Sequence, residues 1–330
     1  MLRYGIHLEA LGRYQLFLYI TALLAGGSVS LLSSGGTTWL ERLVWPTLTF
    51  LLYSTFSQVR LAGSLEAFKH GRFFTASLLA NFTLVPGIVL GLSWLLPPDP
   101  AIKLGVFMVL LVPCTDWFVT FTHLARGDTK LAVAVVPVQL LAQFAFLTLY
   151  LWLFLGQEFT QVVATGPFVQ AFAGLIVIPF ALAWLTRQIA ARFVQVTHWL
   201  RAIWKLPVPL LTLTLFLVAA SQASLLRDVV GSLGWAALVF VLYLMIAALL
   251  ARLMAKAFSL EVEAGRTLAF NLGTRNSFVV LPLALALPAG WEAAVAAIVL
   301  QSIVELSGVV ALLWSVPRYL FPAALPTRRG

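Results

Sequence analysis

Apolar runs of about twenty residues, each closed by a short cluster of turn-forming or charged residues, recur along the whole chain. Ten can be marked, at about 13–33, 38–59, 72–96, 101–124, 131–156, 167–190, 207–227, 234–258, 264–288 and 291–317. Each matches the roughly 20 residues that carry an α-helix across a hydrocarbon core about 30 Å thick. The separators carry turn chemistry: Gly35-Gly36, Pro97-Pro98-Asp99-Pro100, Arg126-Gly127-Asp128, Gly166-Pro167, Leu206-Pro207 and Pro288-Ala289-Gly290. The pattern predicts an all-α polytopic membrane protein with ten transmembrane helices.

Two of the runs are interrupted near their middles. In the fourth, Pro113-Cys114-Thr115-Asp116 places a proline, the sole cysteine and a carboxylate inside an otherwise apolar stretch. In the ninth, Asn271-Leu272-Gly273-Thr274-Arg275-Asn276-Ser277 inserts a glycine, two asparagines and an arginine. Proline removes a backbone donor and opens a helix, and glycine weakens one, so Pro113 and Gly273 mark the expected breaks. Spans four and nine hold corresponding places if the chain is two five-helix repeats, at about 13–156 and 167–317. An odd number of spans per repeat makes the two enter the membrane from opposite faces, the inverted-repeat plan of many secondary transporters. Residues 1–190 then hold the first repeat and span six, 191–206 form a cytoplasmic interfacial connection, and 207–330 complete the second repeat. Broken, crossing helices four and nine are where such a plan puts a midplane binding site.

Charge adds orientation. With the N-terminus inside, all 21 Lys and Arg except Arg42, Lys103, Arg227 and Arg275 fall in or beside cytoplasmic connections. Both termini are therefore expected in the cytoplasm, with the chain multi-pass in the plasma (inner) membrane. The connection from Arg187 to Lys205 alternates apolar and basic residues and suits a helix lying in the interface. Composition agrees: 61% of residues are hydrophobic and 10% charged, far from the quarter typical of soluble chains. The formal charge of +9 sits in short clusters beside apolar runs, which suits anchoring to anionic lipid and not nucleic-acid binding. Polar residues and Glu9 precede the first span, with no small-residue cleavage site, so no removed signal peptide is read.

Few groups can do chemistry inside the spans. They are Asp116, Arg275 and Glu305, with Cys114 beside the first. Arginine stays protonated, so Arg275 should lie near Asp116, Glu305 or an anionic ligand. Whichever carboxylate is left over could carry a proton, which makes Glu305 and Asp116 the proton-coupling candidates. Cys114 is either a small buried hydrophobe or a soft ligand for a thiophilic species; one thiol cannot build a closed metal site. Thr115 and Asn276, next to Cys114 and Arg275 in the two breaks, complete the candidate substrate-binding set. Asn81 and Pro86 in span three, Gln139 and Gln143 in span five, and Gln222 in span seven are further interruptions of apolar surroundings. His7, His70, His123 and His198 fall at span ends or in connections. No phosphate loop, nucleotide fingerprint or metalloprotease spacing occurs, so no cofactor, no ATP-driven pump and no enzyme is read. Partners reduce to a small-molecule or metalloid substrate, protons and the bilayer, with homo-oligomer formation left open.

At these residues the chain resembles the arsenite efflux permeases, within the larger group that includes bile acid:sodium symporters. The likeness rests on Pro113-Cys114-Thr115 followed by Arg126-Gly127-Asp128, on Arg275-Asn276-Ser277-Phe278 and on Val304-Glu305. It implies secondary-active efflux of arsenite or a related metalloid oxyanion, with Cys114 as arsenite ligand and Glu305 implicated in transport. The chain departs from that family at Asp116, where a small residue is usual. Sodium-coupled relatives carry a glutamate and a glutamine where this chain has Asn271 and Arg275, and a fixed cation there would repel sodium. The alternative is a carrier of a small organic anion held by Arg275, of bile acid symporter type but not sodium-driven.

Overall fold

The computed structural model describes residues 17–58, 70–156 and 170–322, apart from 20, 23, 31, 33–37, 116, 171–172 and 289. The described residues are helical, and no strand occurs among them. Helix α1 (Thr38–Phe56) is followed by a bulged helix made of α2 (Gly71–Leu79), a π-helical turn (Ala80–Leu84) and α3 (Val85–Leu92). Next come α4 (Pro100–Leu110), α5 (Trp117–Leu124) and α6 (Thr129–Leu155). The second half contains α7 (Ile178–Ala190), α8 (Val194–Ile203) and α9 (Pro207–Ala257). It closes with α10 (Val262–Gly273), α11 (Ser277–Leu285) and α12 (Glu292–Ser315).

Among the described residues, Gly71–Leu95, Leu233–Ala257 and Glu292–Leu320 are long and apolar enough to cross a membrane. Two bent pairs pass the same test as units: Thr129–Gln143 with Ala145–Leu155, bent by 46°, and Val194–Ile203 with Pro207–Ser221, bent by 41°. Large apolar side chains such as Trp94, Leu153, Trp152, Leu249 and Leu253 stay exposed on the outside of the bundle, as a bilayer requires. The polar groups face inward, with Asn81, Gln139, Asn271 and Arg275 among the most buried residues of the chain.

The turns predicted from sequence are real caps where a carboxylate is available. Asp99 Oδ1 accepts from the backbone N–H of Ala101 (2.9 Å) and Ile102 (3.3 Å), with Pro100 as the first residue of α4. Asp128 does the same for α6, through Lys130 and Leu131, and its own N–H donates to Thr267 Oγ1 at 2.9 Å. The Arg126-Gly127-Asp128 connection is thus a structural device. Arg126 turns the chain at φ 56°, and Gly127 passes so close to α5 that a Cβ would stand 2.7 Å from Thr122 Cγ2. Gly105 plays a similar part, since a Cβ there would lie 2.5 Å from the Ala294 carbonyl oxygen of α12.

One expected turn is absent. The sequence reading breaks the chain between 227 and 234, yet α9 runs from Pro207 to Ala257 as 51 helical residues. Gly231 and Gly234 each weaken a helix by only about 1 kcal/mol, and no proline stands nearby to remove a backbone donor. At 1.5 Å per residue the segment is about 76 Å long, enough residues for two crossings. The connection expected at 191–206 contains α8, whose Leu200 and Ile203 are buried while Val194 and Trp199, like Phe193 just before it, are exposed.

Candidate functional site

Both sequence-read breaks are present, and they meet. Helix α4 ends at Leu110 and α5 starts at Trp117; α10 ends at Gly273 and α11 starts at Ser277. The extended pieces between them run antiparallel, with Pro113 opposite Arg275. Cys114 N–H donates to the Thr274 carbonyl (3.3 Å), and Asn276 N–H donates to the Val112 carbonyl (2.9 Å). Two helix interiors can be opened at this depth only because each supplies the other's backbone partners. Side chains tighten the crossing: Asn276 Nδ2 donates to Thr115 Oγ1 at 2.9 Å, and Asn276 Oδ1 caps α11 at Val279. Gly273 serves packing, since a Cβ there would stand 2.9 Å from Leu312 Cδ1 of α12.

Arg275 is 2% exposed. Its guanidinium donates to the Leu110 carbonyl (3.3 Å), the Leu272 carbonyl (2.5 Å) and Asn81 Oδ1 (3.1 Å), and it lies over the Tyr243 ring at 5.1 Å. Leu110 is the last residue of α4 and Leu272 the penultimate residue of α10. Opening the two helices leaves their final carbonyls without intrahelical donors, and each helix end carries roughly half a negative charge. Two such ends match one guanidinium. Among the described residues no carboxylate bonds the Arg275 guanidinium; Glu305 meets Arg275 at its backbone N–H, and the other expected partner, Asp116, lies outside the described residues.

Glu305 is held differently. Its Oε2 accepts the backbone N–H of Arg275 (2.8 Å) and Gln301 Nε2 (2.5 Å), and Gln301 Oε1 in turn accepts from Ser277 Oγ (2.7 Å). The carboxylate therefore sits by the start of α11, the positive end of that half-helix. Cys114 and Glu305 are bonded to consecutive residues of one break, the carbonyl of Thr274 and the amide of Arg275.

A second polar cluster flanks Arg275. Asn271 Oδ1 accepts from Ser77 Oγ (2.8 Å), Asn81 Nδ2 (2.8 Å) and Gln139 Nε2 (2.9 Å), while Asn271 Nδ2 returns a bond to Gln139 Oε1 (2.9 Å). Asn81 reaches both Asn271 and Arg275 from the π-helical turn, where the extra residue lets the helix swing a side chain inward. Ser77, Gln301 and Tyr243 were not among the sequence candidates. The signal that finds the first two is spacing: Ser77 and Asn81, Gln139 and Gln143, and Gln301 and Glu305 are each four apart, one polar pair per helix face.

A family model for the sodium bile acid symporter family matches residues 45–229, more than half of the chain. The chain belongs to that family. It is accordingly a multi-pass membrane protein and a transporter of the bile acid symporter type, not an enzyme. The match includes the first break and its cysteine and ends before the second, so Arg275 and Glu305 lie outside the matched stretch. No curated protein matches the chain.

Proposed function

We propose that this symporter-family chain is a secondary-active efflux carrier for arsenite or a related metalloid oxyanion, exchanged for protons and not driven by sodium. The observation that carries the reading is the bonding of Cys114 and Glu305 to consecutive residues of one crossing. A thiophilic substrate at the Cys114 sulfur and a proton at the Glu305 carboxylate would then bias the same movable joint, which is what coupling requires. Asp116, next but one to Cys114, is the second proton-coupling candidate. Arg275 supports sodium independence, because its charge already rests on the helix ends that would otherwise attract a cation. Ten spans in two inverted repeats, with 191–206 as a cytoplasmic connection and both termini inside the plasma membrane, complete the proposal.

A second reading, carriage of a small organic anion, is favoured by the family match itself. Against it stands the state of Arg275, whose terminal nitrogens are engaged by Leu110, Leu272 and Asn81. Arsenite uptake into everted vesicles separates the two. Cys114→Ser is expected to reduce uptake to the level of vesicles lacking the protein while leaving the melting temperature unchanged. Unaltered uptake in that variant contradicts the arsenite reading.

A further inference from the structure

Gln143 of α6 is 1% exposed, and neither its Nε2 nor its Oε1 has a hydrogen-bond partner among the described residues. Arg275 Nε is likewise buried and unpartnered. A buried polar atom left unpaired costs about 1–3 kcal/mol, so such atoms call for an occupant. The register of the helices brings these ones to the same depth. Helices α2 and α6 run parallel, pinned by Gln139 on Ser77 and by the Tyr150 hydroxyl on the Phe82 carbonyl, so Gln143 falls level with Asn81. Asn81 is the residue that holds Arg275 Nη2. Helix α10 is also parallel to α6, joined through Thr267 to Asp128 and through Asn271 to Gln139, and in the extended piece just beyond its end the Nη2 bond to Asn81 keeps the Arg275 guanidinium at the level of Gln143. Span four returns along α6 as a hairpin, closed at Ala125–Asp128 and met again where the Phe107 and Phe154 rings lie 5.4 Å apart. Cys114 and Gln143 each sit near the middle of their arms, and α6 bends by 46° immediately after Gln143.

We infer that Gln143, with Arg275 Nε, forms the hydrogen-bonding wall of the substrate site beside Cys114, and that the site takes a neutral hydroxylated solute. The choice of charge state follows from the amide. Nε2 and Arg275 Nε donate, whereas Oε1 only accepts, so the three atoms together need a ligand that both accepts and donates. A fully ionised oxyanion or carboxylate satisfies the donors and leaves Oε1 facing negative charge. An uncharged trihydroxy species such as protonated arsenite satisfies all three through its O–H groups. This rests on the proposed function and narrows it to the neutral form of the substrate.

The test uses thermal shifts and vesicle flux on the full chain, with arsenite, boric acid and glycocholate as probes and Gln143→Leu and Cys114→Ser as variants. Gln143→Leu removes an unpaired amide, so its own melting temperature is expected to equal or exceed that of the unmodified protein. Its apparent KM for arsenite is expected to rise about tenfold, the effect of losing about 1.4 kcal/mol of hydrogen bonding. Arsenite or boric acid should raise the melting temperature of the unmodified protein and not that of Gln143→Leu. An unchanged KM, an equal shift in Gln143→Leu, no shift with either neutral probe, or a shift with glycocholate alone overturns the assignment. Loss of the thiophilic reading shows separately, as boric acid stabilisation that needs Gln143 together with arsenite flux that ignores Cys114.

Discussion

Arg275→Met is expected to abolish transport and to lower the melting temperature by about 5–10 °C. Methionine fills much of the volume but donates nothing, so the Leu110 carbonyl and Asn81 Oδ1 lose the guanidinium bond inside a dry bundle and the Leu272 carbonyl is left with the Tyr243 hydroxyl alone. At about 1 kcal/mol or more apiece, the loss is about 3 kcal/mol, to which the contact with the Tyr243 ring adds. Two helix C-termini would then face each other across the crossing with nothing positive between them. Arg275→Lys keeps the charge but replaces a planar fork with a point donor, so it is expected to recover roughly half of the lost stability. Thermal denaturation of the purified variants checks this order. Arg275→Met melting with the unmodified protein would show that the guanidinium does not hold the crossing.

Glu305→Gln is the second large effect, and it falls on coupling and not on stability. The amide oxygen of glutamine can still accept from the Arg275 backbone N–H and from Gln301 Nε2, so the crossing keeps its bonds and the melting temperature is expected to stay within about 2 °C. What the variant lacks is a site that gains and loses a proton. Vesicles carrying it should let arsenite equilibrate but should not concentrate it under a pH gradient. Proton-driven accumulation persisting in Glu305→Gln would move the proton to Asp116 or to another group.

The crossing was legible in the sequence because each break is written in residues that cannot continue an apolar helix. Pro113 denies a donor, and the Gly273–Ser277 stretch places small and polar groups inside a second apolar run. The partners of Arg275 were less legible, since two are backbone carbonyls and carry no sequence signal of their own. They follow all the same from the breaks, because a helix stopped inside a membrane exposes its last carbonyls to whatever cation is nearby. The continuity of α9 was misread because glycines separate apolar runs without stopping a helix, whereas a proline at that place would have stopped it. The four-residue spacing of polar pairs was present throughout. Gln143 shows its value, since periodicity alone puts it on the Gln139 face while only the structure reveals that its amide has no partner among the described residues.

The most direct test of the account is arsenite uptake by proteoliposomes under an imposed proton gradient, set beside the same vesicles under a sodium gradient. Two pH units provide about 2.7 kcal/mol per proton, enough for roughly hundredfold accumulation at one proton per substrate. The account predicts accumulation with the proton gradient and only equilibration with the sodium gradient. Accumulation that follows sodium, or an absence of arsenite uptake under either gradient, would contradict it.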